Sequence, residues 1–244
     1  MKVLVIGSGA REHALVRGLS ADPDVSAVVA APGNPGIDLI AQCEPLADVC
    51  DAAAVLAVAA RHTVDLVVVG PEAPLVAGVS DALREAGYAV YGPSAAAAQL
   101  EGSKSFAKEV MASAGVPTAL AHVCTTMAEV ESALDALGAP HVVKDDGLAA
   151  GKGVVVTDDR EAALAHARAC LAKPDGQLVV EEFLDGPEVS VFCICDGTSV
   201  RALSPAQDFK RVGDGDLGPN TGGMGAYSPL PWAPPHLSDW VIEH

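Results

Sequence analysis

The chain has 244 residues, half of them apolar, which is enough to bury a sizeable core in one or two domains. No apolar run is long enough for a membrane-spanning helix, and the first strand meets a glycine too early for a signal peptide, so we expect a soluble, cytoplasmic protein. The formal net charge of -17 disfavours binding to nucleic acid or to an anionic membrane.

Short β-branched runs and helical patterns alternate through the first hundred residues. The nearly continuous apolar runs predict parallel strands that are covered on both faces, at Lys2–Ile6, Ala27–Ala31, Leu66–Val69 and Ala89–Tyr91. Helices are predicted between them at Glu12–Leu19, Ala52–Arg61 and Leu75–Glu85. We therefore predict an α/β fold whose first domain, residues 1–100, is a doubly wound, Rossmann-like parallel sheet.

The remaining elements predict a second, α+β domain after a connecting segment at residues 101–118, which contains a helix at Ser103–Ala114. A small lobe follows at residues 119–187. Its predicted strands are Ala119–Val123, His141–Lys144, Val154–Thr157 and Gln177–Glu182, and its predicted helices are Ala128–Leu137 and Arg160–Leu171. The two middle strands lie too close in sequence to enclose a helix, so we expect them to pair antiparallel.

A further lobe begins at residue 188, with predicted strands at Val189–Cys195 and Ser199–Leu203. A short helix at Asp239–His244 suggests that the chain, residues 188–244, stops within this lobe. The six cysteines form no C-x-x-C pair, so we expect reduced structural thiols and no zinc site.

The first glycine loop, Gly7–His13, follows the first strand and opens the first helix. Its two leading glycines match a phosphate-binding turn, but Glu12 stands where a dinucleotide fingerprint has glycine or alanine. The second strand ends in Ala31–Gly36, which has no acid for a ribose hydroxyl. These departures disfavour a nicotinamide oxidoreductase and leave a phosphate or phosphosugar site and a simple tight turn equally open. The later turn Gly70–Leu75 has two interpretations. It is either a ligand-binding loop at the carboxyl edge of the sheet or a structural turn that its prolines stiffen.

Three more loops have a special composition, and basic residues adjoin two of them. Lys144 ends a strand before Asp145–Gly153, whose small residues let backbone N–H groups close over phosphate oxygens. This loop is not a Walker A motif, because Gly153 follows its lysine; the alternative is a flexible hairpin. In Glu181–Glu188 a strand runs into acids and a bend, a hinge suited to a purine base and a ribose. Lys210 and Arg211 precede a long glycine-rich loop, typical of a site cover.

In order and spacing, these motifs resemble the phosphoribosylamine–glycine ligase family of ATP-grasp enzymes. The matching segments are Gly7–His13, Pro32–Asn34, Gly70–Leu75, Glu101–Lys104, Asp146–Gly153, Glu181–Gly186 and Gly218–Tyr227. The resemblance implies an ATP-grasp α+β domain after the parallel-sheet domain, with its second lobe truncated. It also implies the joining of glycine to 5-phosphoribosylamine through glycyl phosphate, which gives glycinamide ribonucleotide, ADP and phosphate in purine biosynthesis.

The resemblance implies three groups of site residues. The ATP-binding group is Lys104, Lys144, Gly147, Gly151, Lys152, Gly153, Glu181, Glu182, Phe183, Leu184 and Glu188. The substrate-binding group is Gly9, Arg11, Glu12, His13, Asn34, Pro71, Glu72, Asp208, Thr221, Gly222, Gly223 and Met224. The catalytic group is Lys210, Arg211 and Asn220. ATP with Mg²⁺ or Mn²⁺ is the implied cofactor set, glycine and 5-phosphoribosylamine are the implied partners, and a monomer is expected.

Three departures from the family pattern stand out. Asp145 replaces an expected small residue, and we expect Lys144 or Lys152 to neutralise it. Phe209 stands where many members have histidine. The family's later segment, with a metal-binding Glu and Asn and an Arg-Phe-Gly-Asp-Pro-Glu signature, does not occur before His244, so we expect no metal ligands within this chain. The alternatives are a catalytically incomplete nucleotide-binding fragment of this enzyme and another purine-pathway ATP-grasp ligase.

Overall fold

A computed structural model describes residues 1–148, 153–215, 217–221, 223 and 225–243, and leaves out the side chains of Pro219 and Asn220. The chain divides into two compact units. Unit 1 comprises residues 1–110 and 146–148, and unit 2 comprises residues 111–145 and 149–244. In the described part, no helix has the length and apolar character required to cross a membrane.

Unit 1 is a five-stranded parallel sheet with helices on both faces. Its strands are β1 (Lys2–Gly7), β2 (Ala27–Pro32), β3 (Gln42–Cys43), β4 (Leu66–Val69) and β5 (Ala89–Tyr91). Its helices are α1 (Ala10–Ser20), α2 (Ala52–His62), α3 (Glu72–Val76), α4 (Val79–Glu85), α5 (Ala95–Gly102) and the first part of α6 (Lys104–Ala114), which the boundary after residue 110 divides. The strand order β3-β2-β1-β4-β5, with every neighbour parallel, confirms the doubly wound domain.

Alternation along β1 explains why both faces of this sheet are covered. Leu4 and Ile6 point into a core that α2 and α4 complete, whereas Val3 and Val5 pack on the other face with Val16 of α1. All five side chains are fully buried. Burying each one stabilises the fold by about 1.5–3 kcal/mol relative to an exposed position, so the sheet edge that holds the first loop is rigidly supported.

The helices of unit 1 differ from the sequence-based prediction in two places. The single helix predicted at Leu75–Glu85 is wrong, because the chain turns at Gly78 with φ of +85° and forms α3 and α4. Helix α5 was not predicted; it starts after Ser94, whose hydroxyl accepts a hydrogen bond from the Ala97 N–H.

Unit 2 begins with a four-stranded antiparallel sheet that two helices cover. Its elements are β6 (Ala121–Cys124), α7 (Met127–Leu137), β7 (His141–Asp145), β8 (Val154–Thr157), α8 (Arg160–Leu171) and β9 (Leu178–Glu181). The strand order is β6-β9-β7-β8, and the antiparallel pairing of β7 with β8 is confirmed. Residues from both helices and from the sheet form one core, which includes Val130, Leu134, Val143, Leu164 and Val180.

The rest of unit 2 contains short antiparallel ladders. They are β10 (Cys193–Cys195) with β11 (Val200–Ala202), β12 (Gln207–Asp208) with β15 (Ala226–Tyr227), and β13 (Arg211–Gly213) with β14 (Leu217–Asn220). The predicted strand Val189–Cys195 is therefore too long, and the predicted long loop Gly218–Tyr227 contains strand segments instead. The last described helix is α9 (Leu237–Glu243), which begins two residues before the predicted Asp239.

Candidate functional site

The first glycine loop joins β1 to α1 at the carboxyl edge of the parallel sheet. The side chain of Glu12 folds back onto this loop, and its Oε2 accepts a hydrogen bond from the Gly9 N–H at 2.7 Å. Glu12 is only 3% exposed. The sequence predicts Gly9 and Glu12 as substrate contacts, but in this structure they bond to each other.

Three glycines make room for that carboxylate. A Cβ built on Gly7, Gly9 or Gly70 would lie 2.6 Å, 2.8 Å or 2.4 Å, respectively, from the nearest atom of the Glu12 side chain. Real Cβ atoms do not approach that closely, so any larger residue would displace Glu12. The loops Gly7–His13 and Gly70–Leu75, which the sequence analysis treats separately, therefore both enclose the Glu12 carboxylate.

Arg11 lies beside this carboxylate and reaches the next loop. Its Nη1 donates a hydrogen bond to Glu72 Oε1 at 2.8 Å, and its Nε lies 3.5 Å from Glu12 Oε1. The hydrogen bond to Glu72 raises the pKa of Arg11. Burial is the largest single effect and opposes ionisation of Glu72, but the hydrogen bonds that its carboxylate accepts and the charge of Arg11 together outweigh burial and lower the pKa of Glu72. The structure thus brings Arg11, Glu12 and Glu72 together as predicted.

Asn34 connects the first loop to the turn after β2. Its Nδ2 donates to the Ser8 carbonyl at 2.9 Å, and its Oδ1 accepts the backbone N–H groups of Gly36 and Ile37. His13 packs close to the same turn, because a Cβ on Gly36 would lie 2.6 Å from His13 Cε1. Pro71, the last substrate residue predicted in unit 1, precedes α3 as its N-cap.

Lys104 and Gly147, two predicted ATP contacts, meet in unit 1. The Lys104 Nζ donates to the Gly147 carbonyl at 2.8 Å. The neighbouring Asp146 accepts the backbone N–H groups of Lys104 and Ser105 at the start of α6, and the hydroxyls of Ser103 and Ser105. Sequence reasoning missed Asp146 as a positioning group; the signal was an acid facing a helix start that is rich in serine.

In unit 2, Lys144 and Glu181 form an ion pair across neighbouring strands. Lys144 Nζ lies 2.6 Å from Glu181 Oε2, and the Glu181 side chain is 7% exposed. Glu182, which follows β9, has a different role. Its Oε2 accepts a hydrogen bond from the Leu120 N–H at 2.8 Å, which holds the start of the hinge against the residue before β6. Phe183 and Leu184 are exposed at 43% and 63%, so their surfaces are open to a planar ligand.

Asp145 has a partner that the sequence prediction did not identify. Its Oδ2 pairs with Lys173, which follows α8, whereas Lys144 is engaged with Glu181. The expectation of Lys144 as partner is therefore wrong, and Lys152 lies outside the described residues. The hydrogen bond to Asp145 raises the pKa of Lys173.

The predicted site residues around Lys210 surround a cleft of about 820 Å³. This cleft is lined by residues 186–188, 207–215 and Thr221. Lys210 Nζ lies 2.9 Å from Glu188 Oε1 and 3.0 Å from Asp208 Oδ1. Burial lowers the pKa of Lys210, but the hydrogen bonds to Glu188 and Asp208 outweigh it and raise the pKa overall. One predicted catalytic residue and two predicted ligand-binding residues thus converge in one cleft.

The backbone beside this cleft is held by its own side chains. Arg211 Nη1 donates to the Gly218 carbonyl at 3.2 Å, and the Thr221 hydroxyl donates to the Phe209 carbonyl. The Phe209 ring stacks on Tyr227 at a centroid distance of 5.6 Å. At this position an aromatic contact takes the place of the expected histidine.

Several predicted site residues fall outside the described part of the chain: Gly151, Lys152, Gly222, Met224 and the side chain of Asn220. Gly153, which is described, receives the Asp145 N–H on its carbonyl at 2.7 Å, and Gly223 donates its N–H to the Thr221 hydroxyl at 3.1 Å. Across the described residues, no three His, Cys, Asp or Glu side chains converge as a metal site.

A parallel-sheet unit followed by an antiparallel lobe, with a lysine at a strand end and acids at a hinge, defines an ATP-grasp protein. The model of the phosphoribosylglycinamide synthetase N domain matches residues 1–101, and that of the ATP-grasp (A) domain of the same synthetase matches residues 102–244. The chain therefore belongs to the phosphoribosylglycinamide synthetase family.

Individual relatives agree with this assignment. The chain is 68% identical over 243 residues to a phosphoribosylamine–glycine ligase of Streptomyces coelicolor, covering 100% of this chain and 57% of the relative. It is 56% identical to the ligase of Mycobacterium leprae, covering 99% and 58%. A crystal structure of the Thermotoga maritima ligase matches with a TM-score of 0.79 at 32% identity, covering 94% of this chain and 56% of that chain. The chain thus spans somewhat more than half the length of these relatives.

Proposed function

We propose that this chain supplies the first domain and much of the nucleotide site of a ligase that joins glycine to 5-phosphoribosylamine at the expense of ATP. The observation that supports this most directly is the cleft in which Lys210 lies between Glu188 and Asp208. A lysine with two acids can contact a phosphate through one group and substrate hydroxyls or an ammonium through the others.

The proposed chemistry has two steps. The glycine carboxylate attacks the γ-phosphate of ATP, giving glycyl phosphate and ADP, and the amine of phosphoribosylamine then displaces phosphate to give glycinamide ribonucleotide. In the first step negative charge passes from the glycine carboxylate to ADP. In the second step the amine nitrogen bonds to the glycyl carbonyl carbon, the C–O bond to phosphate breaks, and the amine gives up a proton to phosphate or solvent. Because negative charge develops on oxygen atoms in both steps, the protein contributes mainly by positioning and by charge neutralisation. We assign that neutralisation to Lys210 and Arg211, and we include Asn220 on the family resemblance alone.

The ATP contacts are proposed on the family resemblance. Lys104, Lys144 and the segment that begins at Gly147 would contact the phosphates, the hinge residues 181–184 the adenine, and Glu188 the ribose. In the structure Lys144 and Glu181 already form a close ion pair at the start of that hinge. The resemblance implies Mg²⁺ or Mn²⁺ between the ATP phosphates, with the family's metal-binding Glu and Asn in the later segment that does not occur before His244.

The proposed substrate site in unit 1 lies at the carboxyl edge of the parallel sheet. Arg11 and Glu72 are accessible there, at 58% and 39% side-chain exposure. His13, Asn34 and Pro71 frame the same edge and complete the proposed site for phosphoribosylamine. We further propose a monomeric, cytoplasmic enzyme, on the family resemblance alone.

A coupled assay of ADP release by the full-length protein tests the function. We expect turnover only when glycine and phosphoribosylamine are both present. The variant Lys210→Met should lower kcat/KM on the order of 100-fold, because charge stabilisation in the transition state is lost. Arg17→Met, a change at an exposed position of α1 outside the three groups of site residues, serves as the control.

Two outcomes would redirect the proposal. ADP release that does not need phosphoribosylamine would point to another ATP-grasp ligase. If the 244-residue chain binds ATP in calorimetry but never turns over, while the full-length protein does, then this chain is a catalytically incomplete part of the enzyme.

A further inference from the structure

The first glycine loop of unit 1 resembles a phosphate-binding turn, but one of its backbone N–H donors already has a hydrogen-bond partner within the chain. In parallel sheets of this topology, the glycine turn before the first helix normally directs backbone N–H groups and the positive helix end at a phosphate. Here the loop precedes α1, a helix of eleven residues. Its Gly9 N–H donates instead to Glu12 Oε2 at 2.7 Å.

The carboxylate of Glu12 fills the space that a ligand phosphate would need. Its side chain is 4% exposed. Atoms of that side chain lie only 2.4–2.8 Å from the Cβ positions of Gly7, Gly9 and Gly70. A phosphate oxygen cannot accept the Gly9 N–H while the Glu12 carboxylate occupies that position.

The second oxygen of this carboxylate provides an independent observation. Glu12 Oε1 is buried and has no hydrogen-bond partner within the described residues. Its closest cation is Arg11, whose Nε lies 3.5 Å away and whose Nη1 is bonded to Glu72. Burying a charged oxygen is unfavourable unless a cation is close, so Glu12 and Arg11 depend on each other for position.

We propose that Glu12 is an internal anion that takes the place of a ligand phosphate in the first glycine loop. By this role it closes the loop to phosphate groups and holds Arg11 toward Glu72. Glu12 is then a positioning residue, and the contact of unit 1 with substrate passes through Arg11 and Glu72. That last consequence rests on the proposed function, whereas the occupation of the loop does not.

Titration of the 244-residue chain with inorganic phosphate, followed by the NMR shift of the Gly9 amide, tests the loop directly. In the wild type we expect no saturable shift. In Glu12→Ala the freed N–H and helix end should bind phosphate, at least on the order of tenfold more tightly than the wild type, with a saturable shift at Gly9. Glu12→Gln, which keeps the shape and an acceptor oxygen, should remain closed.

The outcomes separate the inference from the proposed ligase activity. A saturable Gly9 shift in the wild type, or a folded Glu12→Ala protein without any gain, would overturn the internal anion. If Glu12→Ala does not fold, Glu12→Gln decides: a Gly9 amide that responds to phosphate there contradicts the inference, and an unresponsive one supports it.

A kinetic readout on the full-length protein addresses the positioning role. In Glu12→Gln we expect KM for phosphoribosylamine to rise about tenfold, with KM for ATP unchanged, because only Arg11 loses its neighbouring charge. An equal rise in both constants would contradict that role. A failure of the ligase assay itself would leave the phosphate titration unaffected.

Discussion

At the scale of single residues, Asp146 joins the segment that follows β7 to the start of α6. One carboxylate accepts two backbone N–H groups at the start of α6 and the hydroxyls of Ser103 and Ser105. Lys104 is therefore fixed at its backbone by Asp146 and at its side chain by the Gly147 carbonyl. This carboxylate thus links the helix end to the segment proposed to cover the ATP phosphates.

Replacing Asp146 tests that link. Asp146→Ala removes an acceptor from a helix start and should lower the free energy of unfolding by about 1–2 kcal/mol. Asp146→Asn keeps one acceptor oxygen and should lose less. Urea unfolding of both variants measures the difference, and ATP calorimetry should show weaker binding in Asp146→Ala. Equal stability of the wild type and the alanine variant would contradict the capping role.

The same residue predicts a pH dependence. Burial raises the pKa of Asp146, but hydrogen bonds from Ser105, Lys104 and Ser103 outweigh it, so the folded-state pKa lies below the ordinary value of 3.8. The stabilisation by the carboxylate is therefore present above pH 3.8 and is lost as pH falls through the folded-state pKa. The stability gap between the wild type and Asp146→Asn should narrow in that acid range.

At the scale of elements, helix α8 supports both ends of the segment between β7 and β8. Lys173, just after the helix, pairs with Asp145, and His166 on the helix contacts the Gly153 carbonyl at 3.2 Å. Asp145 also donates its backbone N–H to the same carbonyl at 2.7 Å. The ends of the glycine segment are thus joined to each other and to one helix.

Lys173→Met should destabilise unit 2, because it leaves the mostly buried Asp145 carboxylate without its cation. The Lys173 pKa is raised above its ordinary value of 10.5, so its contribution is complete below pH 10.5 and disappears as pH rises through the folded-state pKa. A double-mutant cycle with Asp145→Ala measures the coupling by urea unfolding, and Arg168→Met, an exposed position on α8, is the control. Additive losses would show that the pair does not stabilise the fold.

Local patterns were enough to predict the elements that have strong apolar signals. The parallel strands of unit 1 and the antiparallel pair β7 and β8 appear as expected, because short β-branched runs have few alternative structures. The break between α3 and α4 was missed, since Val76 and Val79 continue a helical apolar spacing across Gly78. Strands β12 to β15 were missed because they are short and polar and depend on partners farther along the chain.

For the site, composition indicated which loops matter but not which charges meet. Lys210, Glu188 and Asp208 were all singled out, and they do converge. Lys173 was not foreseen as a partner of Asp145, because it is distant in sequence and the chain reaches Asp145 only through the packing of α8. Spacing alone also could not distinguish a glycine loop open to phosphate from one that its own glutamate occupies.

At the scale of the whole molecule, three of the described site cations on this acidic chain are paired with the chain's own acids. Arg11 pairs with Glu72, Lys144 with Glu181, and Lys210 with Glu188 and Asp208. With a formal net charge of -17, unpaired carboxylates would repel an anionic substrate. Pairing keeps positive charge at these three proposed contacts, although an incoming phosphate must compete with a carboxylate for it.

The two units have separate apolar cores, so we expect a core substitution to destabilise mainly the unit that contains it. Leu83 is buried in the core of unit 1 and Leu134 in that of unit 2. Each Leu→Ala change should cost about 2–5 kcal/mol, since it leaves a cavity among tightly packed neighbours. Hydrogen exchange read by mass spectrometry should show faster exchange mainly in β1 and β4 for Leu83→Ala, and in β7 and β9 for Leu134→Ala.

The control is Leu39→Ala, because Leu39 is 86% exposed and its truncation should change stability by less than about 0.5 kcal/mol. If either core substitution accelerated exchange equally in both sheets, the units would unfold as one and the separate-core interpretation would be wrong. If each effect stays in its own unit, the glycine loop at β1 and the lysine pair at β7 are supported by independent cores. A substitution that destabilises the unit holding one proposed subsite would then leave the other unit folded.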